Sequence, residues 1–212
     1  LVYKIVSVIS YAHTLSKKFP EFNFIPCFWM ATEDHDFDEI NTMYLYGKSY
    51  SWNINTKDAV GHLNTESIKP LLHDLKQVLC VNSNGKELYD IFHHSYNKNT
   101  NYADATRSIL NSLFGDSGLI VVDGNHADLK KIFIQKLKDE VQNQNAYNCV
   151  SNTNRIISKK YKPQINALSS NIFYLFDSIR SKIEFKNNKY ISLGHKKKWS
   201  QEELINEIEK FP

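Results

Sequence analysis

Cysteine, glycine, proline and methionine are all scarce in this chain of 212 residues, which holds three, seven, five and two of them. Cys27, Cys80 and Cys149 stand far apart with no paired spacing, which excludes a readable disulfide framework and a CxxC metal site. Reduced thiols in a cytoplasmic protein are the expectation. So little glycine and proline beside 42% hydrophobic residues and 13% aromatics excludes a disordered chain. No apolar run approaches the roughly 18 residues of a membrane span and no signal-peptide pattern occurs, so no membrane partner is expected. Charge of one sign is lacking too. The net +3 is too weak to make nucleic acid the main partner. Neither a GxGxxG nor a Walker A segment is present, so no phosphate loop announces a nucleotide.

What is there suits one large domain, or a domain with an insertion, with enough residues to bury a substantial core. Val2, Ile5, Val6, Ile9, Ala12 and Leu15 form a helical stripe that Pro20 ends. Phe22 to Met30 is dense in aromatic and aliphatic residues without alternation, as in a strand covered on both faces, with Cys27 buried inside it and Pro26 as a defect. "TMYLY" and "SYSWN" flank Gly47-Lys48, which predicts a type II′ hairpin turn. Helices are expected over Ser67 to Leu79, Lys86 to Tyr96 and Ala103 to Phe114, the last stopped by Gly115. "GLIVVDGNHADLKKIF" reads as a strand over Leu119 to Val122, a polar turn and a helix from about His126, the unit of a parallel sheet. Helices continue to about Ser158 with a break near "NQNAYN". A second hairpin turns at Asn187-Asn188, "HKKKW" at His195 to Trp199 reads as a solvated turn, and Ser200 with Glu203 forms a capping box for a final helix. The fold class is therefore α/β. A helix that begins at once from Leu1 and another that closes at "EIEKFP" predict a piece of a longer chain.

In open α/β sheets ligands bind beyond the carboxyl ends of the strands. Glu33, Asp34, His35 and Asp36 follow the first predicted strand, and Asp123 to Asn125 follow the second. Capping accounts for Asp34 or Asp36, as the start of a short helix over Phe37 to Asn41, but not for Glu33 or His35. Glu33, His35 and Asp38 or Glu39 carry metal-donor atoms without a signature such as HExxH, so no metal ligand is assigned and the need for a metal stays open. "YADATR" places Thr106 and Arg107 near a helix start, where a guanidinium can hold a carboxylate or phosphate.

"FWMATEDHDFDEIN", which ends at Asn41, together with "ADATR…LFG…GL…VVD", resembles the cysteine-adding enzyme family of bacillithiol biosynthesis, and the likeness runs from Leu1 to Pro212. The resemblance implies a Rossmann-like parallel sheet core with inserted helical and β-hairpin connecting segments. Residues 1–54 would be part of the core with a hairpin, 55–115 a helical connecting segment, 116–145 the second strand-turn-helix of the core and 146–212 a helical and hairpin connecting segment. It also implies a ligase that joins L-cysteine to the amine of glucosaminyl-malate, with ATP the suspected activator of the carboxyl. A C-terminal coiled coil outside this chain would make the full-length protein a homodimer. On this reading His35, Asp36 and Glu33 are catalytic, and Asp34, Asn41, Thr106, Arg107 and Asp123 bind substrate. His35 would deprotonate the attacking ammonium, or hydrogen-bond a phosphate, because imidazole changes charge near neutral pH. One departure stands in "INALSSNIFY": Ala167 and Leu168 occupy positions where relatives tend to carry Pro and Arg. The alternatives are a non-catalytic ligand- or partner-binding α/β module and a metal-dependent hydrolase built on the same acidic and His cluster.

Overall fold

The computed structural model describes residues 1–211, arranged as two compact units, Leu1–Asn125 and His126–Pro212. The division falls just after the second predicted strand and its polar turn.

The first unit contains helix α1 (Val2–Lys18), strand β1 (Cys27–Met30), a hairpin of β2 (Thr42–Leu45) and β3 (Lys48–Ser51), helices α2 (Lys69–Leu79), α3 (Ser83–Lys98) and α4 (Tyr102–Phe114), and strand β4 (Ile120–Asp123). β1 and β4 run parallel, with Cys27 opposite Ile120 and Met30 opposite Asp123. This is the α/β core expected, reached through a long helical connection as parallel pairing requires. Pro26 lies just before β1 and is no defect: its carbonyl accepts the Ile120 N–H at 2.9 Å, so the missing donor is never called on. Ile5, Met30, Leu110 and Leu119 pack into one buried cluster that joins α1 and α4 to one face of the ribbon. Each such side chain contributes about 1.5–3 kcal/mol by leaving water. A second cluster, built on Trp52, Val60, Leu63, Ile68, Leu72, Tyr96, Ala105 and Ile109, holds the connecting segment together.

Several local expectations are corrected. β1 is not buried on both faces: Trp29 is 51% exposed and Cys27 is exposed, and β4 is its sole sheet neighbour among the described residues. Val2 and Val6 of the α1 stripe are likewise exposed, while Ile5 and Ala12 are buried. The hairpin turn is Tyr46-Gly47, one residue earlier than the sequence suggests. Positive φ at both positions, 50° and 76°, makes it type I′, whose twist matches the flanking strands. Gly115 opens a 3₁₀ turn in right-handed conformation; the left-handed stop is Gly118, at φ 73°. The short helix after the acidic cluster is a 3₁₀ turn over Phe37–Glu39, and Asp36 at its cap position makes no side-chain capping bond.

The second unit contains α5 (Ala127–Ile132), α6 (Ile134–Asn143), α7 (Asn145–Ile157), an antiparallel sheet in the order β5 (Phe173–Phe176), β6 (Ile179–Lys186), β7 (Lys189–Ser192), β8 (Lys197–Trp199), and α8 (Gln201–Lys210). Gln144, in left-handed conformation, separates α6 from α7 at the expected break. Asn187 and Asn188, both at positive φ, make the expected hairpin turn, and Ser200 with Glu203 forms the capping box. The sheet is twice as wide as the hairpin read from the sequence. "HKKKW" is not a solvated turn: Lys197 to Trp199 pair with β7, Trp199 is buried, and the Lys197 ammonium is held by the Tyr174 hydroxyl and Glu207. Ile183, Tyr190 and Trp199 pack with Val141, Leu204 and Ile208 of α6 and α8. The loop bearing Ala167 and Leu168 precedes this sheet.

Candidate active site at the ends of the parallel strands

β1 and β4 end level with each other, and the Gly124 N–H donates to Met30 O at 3.0 Å. The chain leaving β1 therefore runs beside the chain leaving β4. Thr32, 6% exposed, donates its hydroxyl to Asp123 Oδ1 across this gap. The same oxygen accepts the Asn125 N–H at 2.9 Å, and Asp123 Oδ2 accepts from Arg107 Nη2 at 3.0 Å. Burial pushes the Asp123 carboxyl up, but the bonds from Thr32, Asn125 and Arg107 outweigh it and hold the group below its ordinary range.

Arg107 reaches this position because α4 starts under a fixed cap. Asn101 Oδ1 accepts the Asp104 N–H at 2.8 Å and its amide donates to Asp104 Oδ2 at 2.8 Å; Asp104 Oδ1 in turn accepts from Arg107 Nη1 at 2.8 Å. Two of the five guanidinium donors are thus committed to Asp104 and Asp123. Thr106 is not part of this network and hydrogen-bonds the hydroxyl of the partly buried Tyr102.

The four ionisable residues after β1 do four different things. The Glu33 side chain lies against Gly124 and Trp29, so closely that a Cβ built on Gly124 would stand 2.8 Å from Glu33 Oε2 and from the indole. Asp34 Oδ1 accepts the His35 N–H at 2.8 Å. His35 Nδ1 sits 3.0 Å from the Glu33 carbonyl oxygen. A carbonyl only accepts, so Nδ1 carries the proton in that bond and the lone pair of the neutral ring is on Nε2. Asp36 is exposed. Glu33 Oε2 and His35 Nε2 are buried and have no hydrogen-bond partner among the described residues. Asn41 is not brought to this group. Its amide donates to Asp38 and its carbonyl receives the Trp52 N–H, beside a shallow hollow lined by Phe37, Asp38, Trp52 and Asn53.

A strap over residues 58–62 closes the same rim. Val60 N donates to Asp34 O at 2.7 Å and Gly61 N to Thr32 O at 3.0 Å. Gly61 is required by this approach, since a Cβ there would lie 2.6 Å from Thr32 Cβ. The strap carries His62, whose Nδ1 is 3.3 Å from Asp58 Oδ1 and whose Nε2 is 3.1 Å from the Asn125 amide nitrogen. Thr32, Asp58, His62 and Asp104 were not legible as site residues. The only sequence signals were a glycine pressed between Asp58 and His62 and the three-residue spacing of Asp104 and Arg107. Among the described residues no three His, Cys, Asp or Glu side chains come together as a set able to hold a metal ion, and no helix is long and apolar enough to cross a membrane.

The whole chain, residues 1–212, matches the family model described as the N-terminal Rossmann-like domain of bacillithiol biosynthesis BshC. It is 39% identical over 211 residues to a protein of Flavobacterium johnsoniae named "Putative cysteine ligase BshC", covering 100% of this chain and 40% of that one. A protein of the same name from Flavobacterium psychrophilum is 42% identical over 189 residues, 89% of this chain and 35% of its own. Another from Christiangramia forsetii is 36% identical over 217 residues, 100% and 40% respectively. The chain thus spans about 40% of the length of the curated relatives it matches.

Proposed function

The chain belongs to the bacillithiol biosynthesis BshC family as its N-terminal Rossmann-like domain, and from that premise we propose that the full-length protein is a carbon–nitrogen ligase joining L-cysteine to the amine of glucosaminyl-malate. The observation that carries this reading is the pair of buried atoms without partners, Glu33 Oε2 and His35 Nε2. Both are acceptors, one anionic and one with a free lone pair, so the group that completes them is a donor. An ammonium group has three N–H donors and no acceptor, and its charge offsets the carboxylate.

Glu33 then holds the sugar ammonium, and His35 Nε2 removes its proton so that nitrogen becomes a nucleophile. The His35 Nδ1 bond to the Glu33 carbonyl keeps the ring in the tautomer this requires. Asp34 fixes the His35 backbone. The remaining Arg107 donors take a malyl carboxylate while Asp123 keeps the guanidinium in place. A cysteine carboxylate does not acylate an amine unaided, and ATP is the co-substrate we assign to its activation. No residue of this acidic cluster is assigned to the phosphates, which Glu33 would repel. The setting is cytoplasmic, and the full-length protein acts as a homodimer.

The test is a mass-spectrometric assay of the full-length protein with glucosaminyl-malate, cysteine and ATP. Wild type forms bacillithiol; Glu33→Gln and His35→Gln lose at least about 100-fold in turnover, the usual worth of a general base, with unchanged unfolding curves. Normal turnover by both variants would end the assignment of these two residues, and absence of product from wild type would end the ligase reading.

A further inference from the structure

Forming an amide from an ammonium requires the nitrogen to lose two protons, one before attack and one as the new bond forms, and His35 accounts for the first. We propose that His62, oriented by Asp58, is the second proton acceptor of the site; this rests on the ligase reading above.

The two imidazoles are built alike. In each, Nδ1 faces an oxygen that can only accept: the Glu33 carbonyl at 3.0 Å for His35, and Asp58 Oδ1 at 3.3 Å for His62. In each neutral ring the lone pair is therefore on Nε2. Asp58 is itself fixed by accepting the Ala59 N–H at 2.8 Å. The strap that carries His62 is stitched to the catalytic segment by the Val60–Asp34 and Gly61–Thr32 backbone bonds, so the second imidazole sits on the rim that carries the first. The rings differ in exposure. His35 Nε2 is sealed off, whereas the His62 side chain is 58% exposed and can return a proton to water. Asn125, which follows the strand that ends in Asp123, places its amide nitrogen 3.1 Å from His62 Nε2. Exchange of that amide for the substrate nitrogen opens the acceptor.

The substrate ammonium gives one proton to His35 Nε2 and becomes an amine. Its lone pair attacks the carbonyl carbon of the activated cysteine, an acyl phosphate-type anhydride formed at the expense of ATP. The C–N bond forms, the bond from carbon to the phosphate oxygen breaks with its electron pair on the departing anion, and the remaining excess proton on nitrogen passes to His62 Nε2. The exposed His62 imidazolium then returns its proton to water, and His35, sealed off while the site is filled, gives up its own as product departs.

The experiment uses the full-length protein with glucosaminyl-malate, cysteine and ATP. His62→Gln keeps a neutral hydrogen-bonding side chain on an exposed position, so folding is retained and is checked by thermal unfolding. The expected result is a kcat lowered about 100-fold with KM for glucosaminyl-malate within about threefold, and partial recovery on adding free imidazole. Asp58→Asn, a change in a positioning residue, lowers kcat about 10-fold by freeing the other tautomer, and imidazole does not rescue it because His62 still fills the site. His62→Gln within about threefold of wild type, or a loss confined to KM, would overturn the proposal while leaving the ligase reading intact. No amide from wild type would overturn both.

Discussion

Replacing Thr32 by Val tests how far a single hydrogen bond holds the two strand ends together. Thr32 is 6% exposed, and Val has nearly its shape, so the change removes the hydroxyl that serves Asp123 and little else. A hydrogen bond to a charged group contributes about 1.5–3 kcal/mol. Asp123 keeps the Asn125 N–H and Arg107, so the lower part of that range, about 1.5–2 kcal/mol at pH 7, is expected. The pH dependence has a definite sign. Burial raises the Asp123 pKa, the three sets of bonds outweigh it, and the folded group lies below the ordinary 3.8. A depressed folded pKa gives stability that is complete above the unfolded value and disappears as pH falls through the folded one. Loss of Thr32 moves the folded value upward. The deficit of the variant is therefore largest near neutrality and shrinks below 3.8, where Asp123 is protonated in the unfolded chain. Urea unfolding followed by tryptophan fluorescence at pH 7 and pH 3, on Thr32→Val, Asp123→Asn and the double variant, measures this. In the Asp123→Asn background the cost of removing Thr32 should fall to the roughly 0.5–1 kcal/mol of a neutral bond. An equal deficit at both pH values, or a deficit below about 0.5 kcal/mol at pH 7, would refute the reasoning.

Two glycines of the site should respond to very different extents. At Gly61 an added Cβ meets Thr32 Cβ at 2.6 Å and Thr32 O at 2.9 Å, atoms that cannot swing aside, so Gly61→Ala should cost about 2–3 kcal/mol by thermal unfolding. At Gly124 it meets only the ends of the Glu33 and Trp29 side chains, so Gly124→Ala should cost under about 1 kcal/mol while displacing Glu33 and lowering amide formation by the full-length protein. Equal losses of stability would show that the strap is not pressed on the strand end. In the second unit, the Tyr190 hydroxyl donates to Val141 O at 2.5 Å in a buried setting. Tyr190→Phe leaves that carbonyl unsatisfied and should cost about 1–3 kcal/mol in denaturant unfolding, where a change under about 0.5 would mean that water replaces the phenol.

Legible in the sequence is what depends on neighbours in the chain. The 3.6-residue stripes, the Ser200 capping box and the Asn187-Asn188 turn each declare themselves within a few residues. The parallel pairing follows from two apolar strands that each end in a polar, charged turn. Elements whose local signal is masked read otherwise than they fold. Tyr46 adopts φ 50°, uncommon for an aromatic residue, so the pattern places the turn one position late. The lysines of "HKKKW" hide a strand whose Trp199 is buried. In the site, the acidic cluster and Asp123 stand out because charges beyond a strand end are conspicuous. Thr32, Asp58 and His62 do not, because each acquires its meaning from a partner or a strap fixed by long-range backbone bonds.

The charges around the site single out the acidic residue that suits the proposed ammonium substrate. Asp104 and Asp123 share one guanidinium, and Asp123 is further saturated by Thr32 and the Asn125 N–H, so these two carboxylates serve to lock α4 and β4 to the end of β1. Asp34 stabilises the backbone of the residue that follows it, and Asp36 lies in solvent. Glu33 alone in the tetrad combines a carboxylate oxygen shut off from water with the lack of any donor among the described residues. An ionised oxygen in that state is costly unless a cation arrives. The locked aspartates keep Gly124, and hence the Glu33 oxygen beside it, from relaxing outward to water. The rigid part of the cluster thus keeps the Glu33 acceptor oxygen beside Gly124, where the proposed ammonium substrate meets it.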